Sequence, residues 1–330
     1  MRRRYVQILL LFFTFGYPPT WGSTAEPEEG PEPRTPNSIH SSAERTQDSL
    51  WLVGTRHLGY PSRYDPDKLP LQVMKHDWAE GWLDSDLDTF LDTNDPSIVT
   101  AVYVHGNRVD RGQVFQRGML AYRALVRGLD DPQPIRFVVW SWPSTKRCGP
   151  LRDVRSKATR SDYDSYYLGT FLSRLNPQTR VGMYGFSYGS RVISGALHLV
   201  GGGKMLGLTV PDAQPKEERT AHAALMGAAM NNYWLLPGYR HGKALSQMDR
   251  LLVQYNPCDR ILRMYRFAER RSRPQALGHA ALPGLSALED EASRIEQQNV
   301  CPQIGNNHDA RFYFASPGVM NAVRQCVLWQ

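Results

Sequence analysis

Residues 181–190 read VGMYGFSYGS, and within them GFSYG sets Ser187 between Gly185 and Gly189 at G-x-S-x-G spacing. A serine hydroxyl is a weak nucleophile until a base takes its proton, and that base needs a third group to orient it. Of nine histidines, His308 in GNNHDARFYF is the best placed, because it follows every strand that can be assigned and precedes the last helix. Asp259 in QYNPCDRIL follows the apolar run DRLLVQY, whose end would deliver a carboxylate to the same edge. Asp309 is the alternative acid, although an immediate neighbour seldom turns back onto the ring. Nucleophile, acid and base in the order Ser187, Asp259, His308 would perform acyl transfer through a covalent acyl-enzyme. The oxyanion of such a reaction needs donors, and the N–H of Tyr188 is one. The N–H of Asn107, in the loop VHGNRVD, is the other, with Gly106 allowing a tight bend and His105 holding the loop as a structural histidine.

These groups need strand ends and helix starts to carry them. LWLVGTRHL (50–58) and LQVMKHD (71–77) read as leading strands, and DLDTFLDTND as a short polar helix or turn. IVTAVYVHG (98–106) and IRFVVWSWPS (135–144) are nearly continuous apolar runs, the signature of strands buried on both faces. GQVFQRGMLAYRALVRGL (112–129) has apolar residues at helical spacing, and SDYDSYYLGTFLSRL (161–175) reads as a helix capped by Ser161. RVGMYGF (180–186) is then a strand feeding a small-residue helix that begins at the serine. Further strands are expected over 222–230 and 249–255, and a last helix over 316–328, with Ser316 as cap and Pro317 at its first position. Strand–helix alternation of this kind predicts an α/β fold in one domain, a mostly parallel central sheet with helices on both faces.

Before that domain, MRRRYVQILLLFFTFGYPPTWGSTA has three arginines, an apolar run and small residues near Ala25. This is the layout of a signal peptide over 1–25, and the apolar run is short for a membrane span. An uncleaved N-terminal membrane anchor is the alternative. Residues 26–49, rich in Pro, Glu and Ser, read as a disordered linker, so the folded domain is expected over 50–330. The expected location is outside the cytoplasm, secreted or in a periplasm or cell envelope. The formal charge of +7 falls to about +4 once Arg2, Arg3 and Arg4 leave, ordinary for a soluble domain. The densest basic run, ERRSR at 269–273, reads as a solvated loop, so nucleic acid is not an expected partner. Walker, HExxH and paired CxxC motifs are missing, and neither metal nor cofactor is implied. Four cysteines, Cys148, Cys258, Cys301 and Cys326, suit an oxidising compartment and allow three full pairings; Cys326 in VRQCVL also suits a buried thiol.

VYVHGNR, VVWSWPS, GFSYGS, NPCDRIL and NNHDARFYFASPGVMNAV together resemble the α/β-hydrolase superfamily over residues 50–330. More narrowly they resemble a bacterial branch with an HG dipeptide after the third strand and an S-W-P-S segment after the fourth. The resemblance implies Ser187 as nucleophile, Asp259 as acid, His308 as base, Asn107 in the oxyanion loop, and hydrolysis of carboxylic esters. Two positions depart from the common pattern, Phe186 before the serine and Tyr188 after it. Cys258 adjoins the implied acid and Cys301 precedes the implied base by seven residues, so a Cys258–Cys301 disulfide tying the two loops is expected.

The expected partner is a small-molecule or lipid-like ester, with peripheral membrane contact compatible with the sequence. Trp140 and Trp142 could line an apolar pocket or pack beneath a helix. Tyr233 and Trp234 in NNYWLLPGYRHG could form a small lid over an acyl chain or pack inward. The short segment that follows the sixth strand leaves no room for a cap domain. An acyltransferase or peptidase with the same three residues, and a non-catalytic binding or envelope protein on the same scaffold, are the alternatives.

Overall fold

The computed structural model describes residues 45–130, 132–211, 221–267 and 274–330. The expected signal segment, most of the linker and the basic run 269–273 lie outside the described residues. Among the described residues no helix is long and apolar enough to cross a membrane.

Five apolar runs form the centre of a nine-stranded sheet: β1 (Ser49–Gly54), β4 (Val99–Val104), β5 (Ile135–Ser141), β6 (Val181–Phe186) and β7 (Ala221–Met226). All but Ser49 of these residues are buried, as strands covered on both faces must be. Towards one edge lie β2 (Gln72–Asp77) and β3 (Gly81–Ser85), and towards the other β8 (Arg250–Tyr255) and β9 (Ile295–Asn299). The strand order is β3-β2-β1-β5-β4-β6-β7-β8-β9. Only β2 pairs antiparallel to its neighbours; the other pairings are parallel. The sheet is therefore mostly parallel with helices on both faces, an α/β-hydrolase-like architecture.

Alternation along the strands sorts the core into two layers. Trp51, Val53, Val102, Val104, Val138, Trp140 and Met183 face α3 (Pro150–Ser173) and α4 (Tyr188–Val200). Leu50, Leu52, Ala101, Tyr103, Phe137, Val139 and Tyr184 face α2 (Gln113–Val126) and α9 (Pro317–Val327). Each large apolar side chain buried this way contributes roughly 1.5–3 kcal/mol. The chain leaves β4 for β5 on one side, then crosses to β6 on the other. The crevice where strand order reverses thus lies at the carboxyl ends of β4 and β6, the usual place for a site in such a sheet.

Four features differ from the sequence reading. Helix α3 begins eleven residues before Ser161, at Pro150, after a Gly149 with φ of 84°. The Gly-Pro pair starts the helix, since proline suits the first turn; Ser161 lies inside it, buried, and its hydroxyl donates to the Ala158 carbonyl. Strands β3 and β9 escape the sequence because edge strands need no apolar run. β9 reads IEQQN and uses polar pairings, with Gln254 Nε2 donating to Gln298 Oε1 at 2.7 Å. The ordered chain also starts before residue 50. Ser49 opens β1, and buried Asp48 accepts from the Tyr122 hydroxyl and the Ile135 N–H. The stretch DLDTFLDTND, read as a short polar helix or turn, forms α1 (Leu87–Asp92), capped by Asp86.

A polar bracket fastens the loop after β1. Arg160 donates to the carbonyls of Thr55, Leu58 and Gly59 and pairs with Asp164 at 2.7 Å, while Thr55 also donates to Asp164. Burial pushes the Asp164 carboxyl up to about 6, against the pull of Arg160. A carboxyl raised from 3.8 binds more protons folded than unfolded between roughly pH 4 and 6, so its contribution to stability declines as pH rises through that window. Urea unfolding of the parent and Asp164→Asn from pH 4 to 7 should show the parent losing up to about 3 kcal/mol relative to the variant, then a plateau. A relative gain with rising pH would contradict this account.

Candidate active site

Ser187 sits at the junction of β6 and α4, with φ of 55° and ψ of −113°. Such a conformation costs an L-residue on the order of 1–3 kcal/mol and persists only where its surroundings enforce it. Here the Ser187 N–H donates to the Met226 carbonyl, and the Ser187 carbonyl accepts from the Ala229 N–H. The flanking glycines are steric necessities. A Cβ on Gly189 would lie 2.0 Å from the Val104 carbonyl oxygen, and one on Gly185 would lie 2.7 Å from the backbone carbon of Gly189.

Three loops meet at that hydroxyl. His308, in the loop before α8 (Ala310–Ala315), places Nε2 3.0 Å from Ser187 Oγ. Its Nδ1 lies 2.6 Å from Asp259 Oδ2. Asp259 is fully buried at the start of α5 (Arg260–Arg263), where Oδ1 accepts from the N–H groups of Ile261 and Leu262. One oxygen caps the helix and the other is left to face the imidazole. Asp309, the alternative acid, caps α8 and pairs with Arg311 and Arg117 instead. Phe186 packs against His308 with ring centroids 4.9 Å apart, so the departure before the serine buttresses the imidazole.

The loop after β4 lies alongside. A Cβ on Gly106 would stand 3.5 Å from Ser187 Cβ. Tyr188 is the first residue of α4, so its N–H has no acceptor within the helix. The Tyr188 ring turns away, its hydroxyl donating to the Val154 carbonyl. Asn107 is tied down through Nδ2, which donates to buried Asp153 at 3.2 Å. Fully buried His105 stacks on Trp142, and Nδ1 lies 2.9 Å from the Gly106 carbonyl. Its Nε2 accepts from the Trp142 N–H and from Arg56. Burial, helped by the Arg56 charge, lowers its pKa to about 3, so this histidine is neutral and holds the loop.

The proposed pocket aromatics are placed elsewhere. Trp140 and Trp142 are fully buried; Trp140 packs on Phe171, and the Trp142 indole N–H donates to the His105 carbonyl. They are core and loop supports, not pocket walls. Trp234 is no lid either, because it lies buried with the guanidinium groups of Arg191 and Arg240 against its ring, and both of these pair with Asp162. Tyr233 is half-buried, its hydroxyl accepting from Asn231 and its ring against Tyr239.

Cys258 and Cys301 form a disulfide, as expected, with Cα atoms 5.6 Å apart. Cys326 is buried with a free thiol pushed up to about 12 by burial. The sequence reading missed how the bridge is built. Both cysteines leave the ends of paired parallel strands through the same turn, the Cys258 N–H donating to Asn256 and the Cys301 N–H to Asn299. The signal was visible as a repeated N-x-C, NPC and NVC. Asn256 is a further missed residue: it is fully buried, and its Nδ2 donates to the Gly305 carbonyl in the histidine loop.

No protein-family model and no curated protein matches the chain. Solved structures similar to it include an acetylxylan esterase in an iodinated complex, at 12% identity and a TM-score of 0.35, covering 70% of this chain and 96% of that one. A second acetylxylan esterase structure is 13% identical at a TM-score of 0.33, covering 68% and 95%. A likeness at this level bears on neither substrate nor site.

The bridge closes a loop of 43 residues in sequence separation between the acid and base segments. A Cys258→Ser, Cys301→Ser double variant should lose roughly 3–4 kcal/mol of unfolding free energy by chain entropy alone. Urea unfolding without reductant measures it; an unchanged midpoint would mean the hydrogen bonds hold the loops unaided.

Proposed function

We propose that the chain is a serine hydrolase that cleaves carboxylic esters. The observation that carries this reading is the continuous hydrogen-bonded line from Asp259 through His308 to Ser187. In the proposed reaction Ser187 Oγ attacks the ester carbonyl while His308 Nε2 takes its proton. Asp259 holds the Nδ1–H tautomer and stabilises the imidazolium that forms. The Tyr188 and Asn107 amides receive the oxyanion, at the partial positive end of α4. His308 then protonates the departing alcohol, and water attacks the acyl-enzyme by the reverse of the same steps.

An ester suits this arrangement because its alcohol leaves more readily than an amine. Residues 227–249, between β7 and β8, are held against α3 and α4, with Trp234 wedged by Arg191 and the Ser194 hydroxyl 2.9 Å from His241 Nδ1. That supports the reading of a site without a cap domain. The disulfide supports export to an oxidising compartment, in keeping with a signal segment over 1–25 and one folded domain beyond it.

A fluorophosphonate probe tests the nucleophile without assuming a substrate. One adduct per chain on residues 26–330, absent in Ser187→Ala, is the expected intact-mass result. On p-nitrophenyl esters, His308→Ala and Asp259→Asn should each lower kcat/KM by roughly 10³–10⁴. Product analysis with a competing alcohol separates hydrolysis from acyl transfer. Folded protein that takes up no probe would falsify the proposal and favour a binding role.

A further inference from the structure

A cleft of about 540 Å³ opens beside the loops that follow β1 and β5, and none of Ser187, Asp259 and His308 lines it. Its polar side carries Arg56, His57 and Arg111, its apolar side Pro70, Leu71 and Pro143, and none of its lining residues is acidic. Arg56 is held rigidly. Its Nε donates to Ser141 Oγ at 2.7 Å, and Nη2 donates to the Val109 carbonyl at 3.0 Å and meets His105 Nε2 at 3.2 Å. Nη1 has no hydrogen-bond partner among the described residues. Burial lowers the Arg56 pKa from its ordinary value against the opposing charges of Asp110 and Asp164, with a smaller contribution from Arg111. Two guanidinium groups thus share one concave surface without an anion on its walls.

That arrangement calls for an anionic oxygen pair. A guanidinium fork matches a carboxylate or phosphate edge, and a fork already fixed by other contacts loses little freedom on binding. The volume decides what accompanies the charge. It lies in the range of pockets for organic ligands and far exceeds the roughly 30 Å³ of a water-sized ion. Proline and leucine walls suit a hydrocarbon body and offer nothing to a hydrated inorganic ion.

We propose that this cleft binds an organic carboxylate with a short apolar body, its carboxylate between Arg56 and Arg111 and its chain along Pro70, Leu71 and Pro143. The site goes beyond the ester-hydrolase reading and does not depend on it. Where that reading holds, the acid released from an ester is a ligand of this class. Arg56 also touches the loop that carries Asn107, so occupancy of the cleft and the geometry of that loop share one side chain.

The test uses calorimetric titration of the Ser187→Ala protein, which cannot turn over an ester, with octanoate as probe. Octan-1-ol and inorganic phosphate form the comparison arms. The expected result is one octanoate per chain, with Kd at least tenfold weaker in Arg111→Ala and in Thr145→Glu, which adds an acid to the cleft wall. Arg111 and Thr145 are both exposed, and a melting curve for each variant checks folding. Octan-1-ol binding as tightly would overturn the anionic part of the assignment, and phosphate binding as tightly would overturn the organic part. No octanoate binding, or binding that both variants leave unchanged, would overturn the site altogether. None of these outcomes touches fluorophosphonate labelling of the parent, so the two readings stand or fall separately.

Discussion

The approach of helix α4 to the end of strand β4 constrains everything around the site. At Gly189 the helix passes so near the Val104 carbonyl that no side chain fits between them. The chain must therefore turn from β6 into α4 within one residue, and Ser187 takes a left-handed φ to do it. Strain there is held by backbone hydrogen bonds to Met226 at the end of β7 and to Ala229 just beyond it, and by Ser190, whose hydroxyl donates to the Gly185 carbonyl at 2.6 Å. The same closeness brings the loop after β4 within reach of the serine. One steric condition thus yields both a hydroxyl presented to His308 and a neighbouring turn of backbone amides.

Asp259 and His308 raise a different problem, because both sit on loops. Two flexible loops holding one imidazole would spread it over many orientations, and productive geometry would be rare. Strands β8 and β9 solve this by being neighbours. Their parallel pairing starts both loops from a common origin, and the disulfide and the Asn256–Gly305 hydrogen bond tie them again further out. Asp259 cannot rotate without abandoning two backbone donors of α5. The histidine loop is thus anchored covalently, by a hydrogen bond, and through the acid itself.

How much of this was legible in the sequence follows from what each feature needed. Continuous apolar runs announce buried strands, so the sheet's centre and the positions of Ser187, Asp259 and His308 could be read directly. Glycines around a serine announce a turn that only glycines permit. Edge strand β9 needed no apolar run, so IEQQN carried no signal, and with it went the reason why Cys258 and Cys301 lie close. Helix α3 hid its start behind a Gly-Pro pair that reads as a break as readily as a first turn. Aromatic residues were the least legible, since a tryptophan near a strand end has the same letters whether it lines a pocket or supports a loop. Trp142 supports one, as its burial, its stacking on His105 and its indole bond to the His105 carbonyl show.

The two histidines near the serine show why partners decide a role that residue type leaves open. His105 presents Nε2 to two donors, the Trp142 N–H and the Arg56 guanidinium, so its lone pair is already used. A proton on that nitrogen would face two donors and a buried positive charge, which is why burial and Arg56 together keep the ring neutral. His308 is wired the opposite way. Its Nδ1 faces a carboxylate, which can only accept, so that nitrogen carries the hydrogen, and Nε2 turns its lone pair to the Ser187 hydroxyl. One imidazole is arranged to stay neutral and hold a loop, the other to face a carboxylate with one nitrogen and a serine hydroxyl with the other. The difference lies in which kind of atom each nitrogen meets.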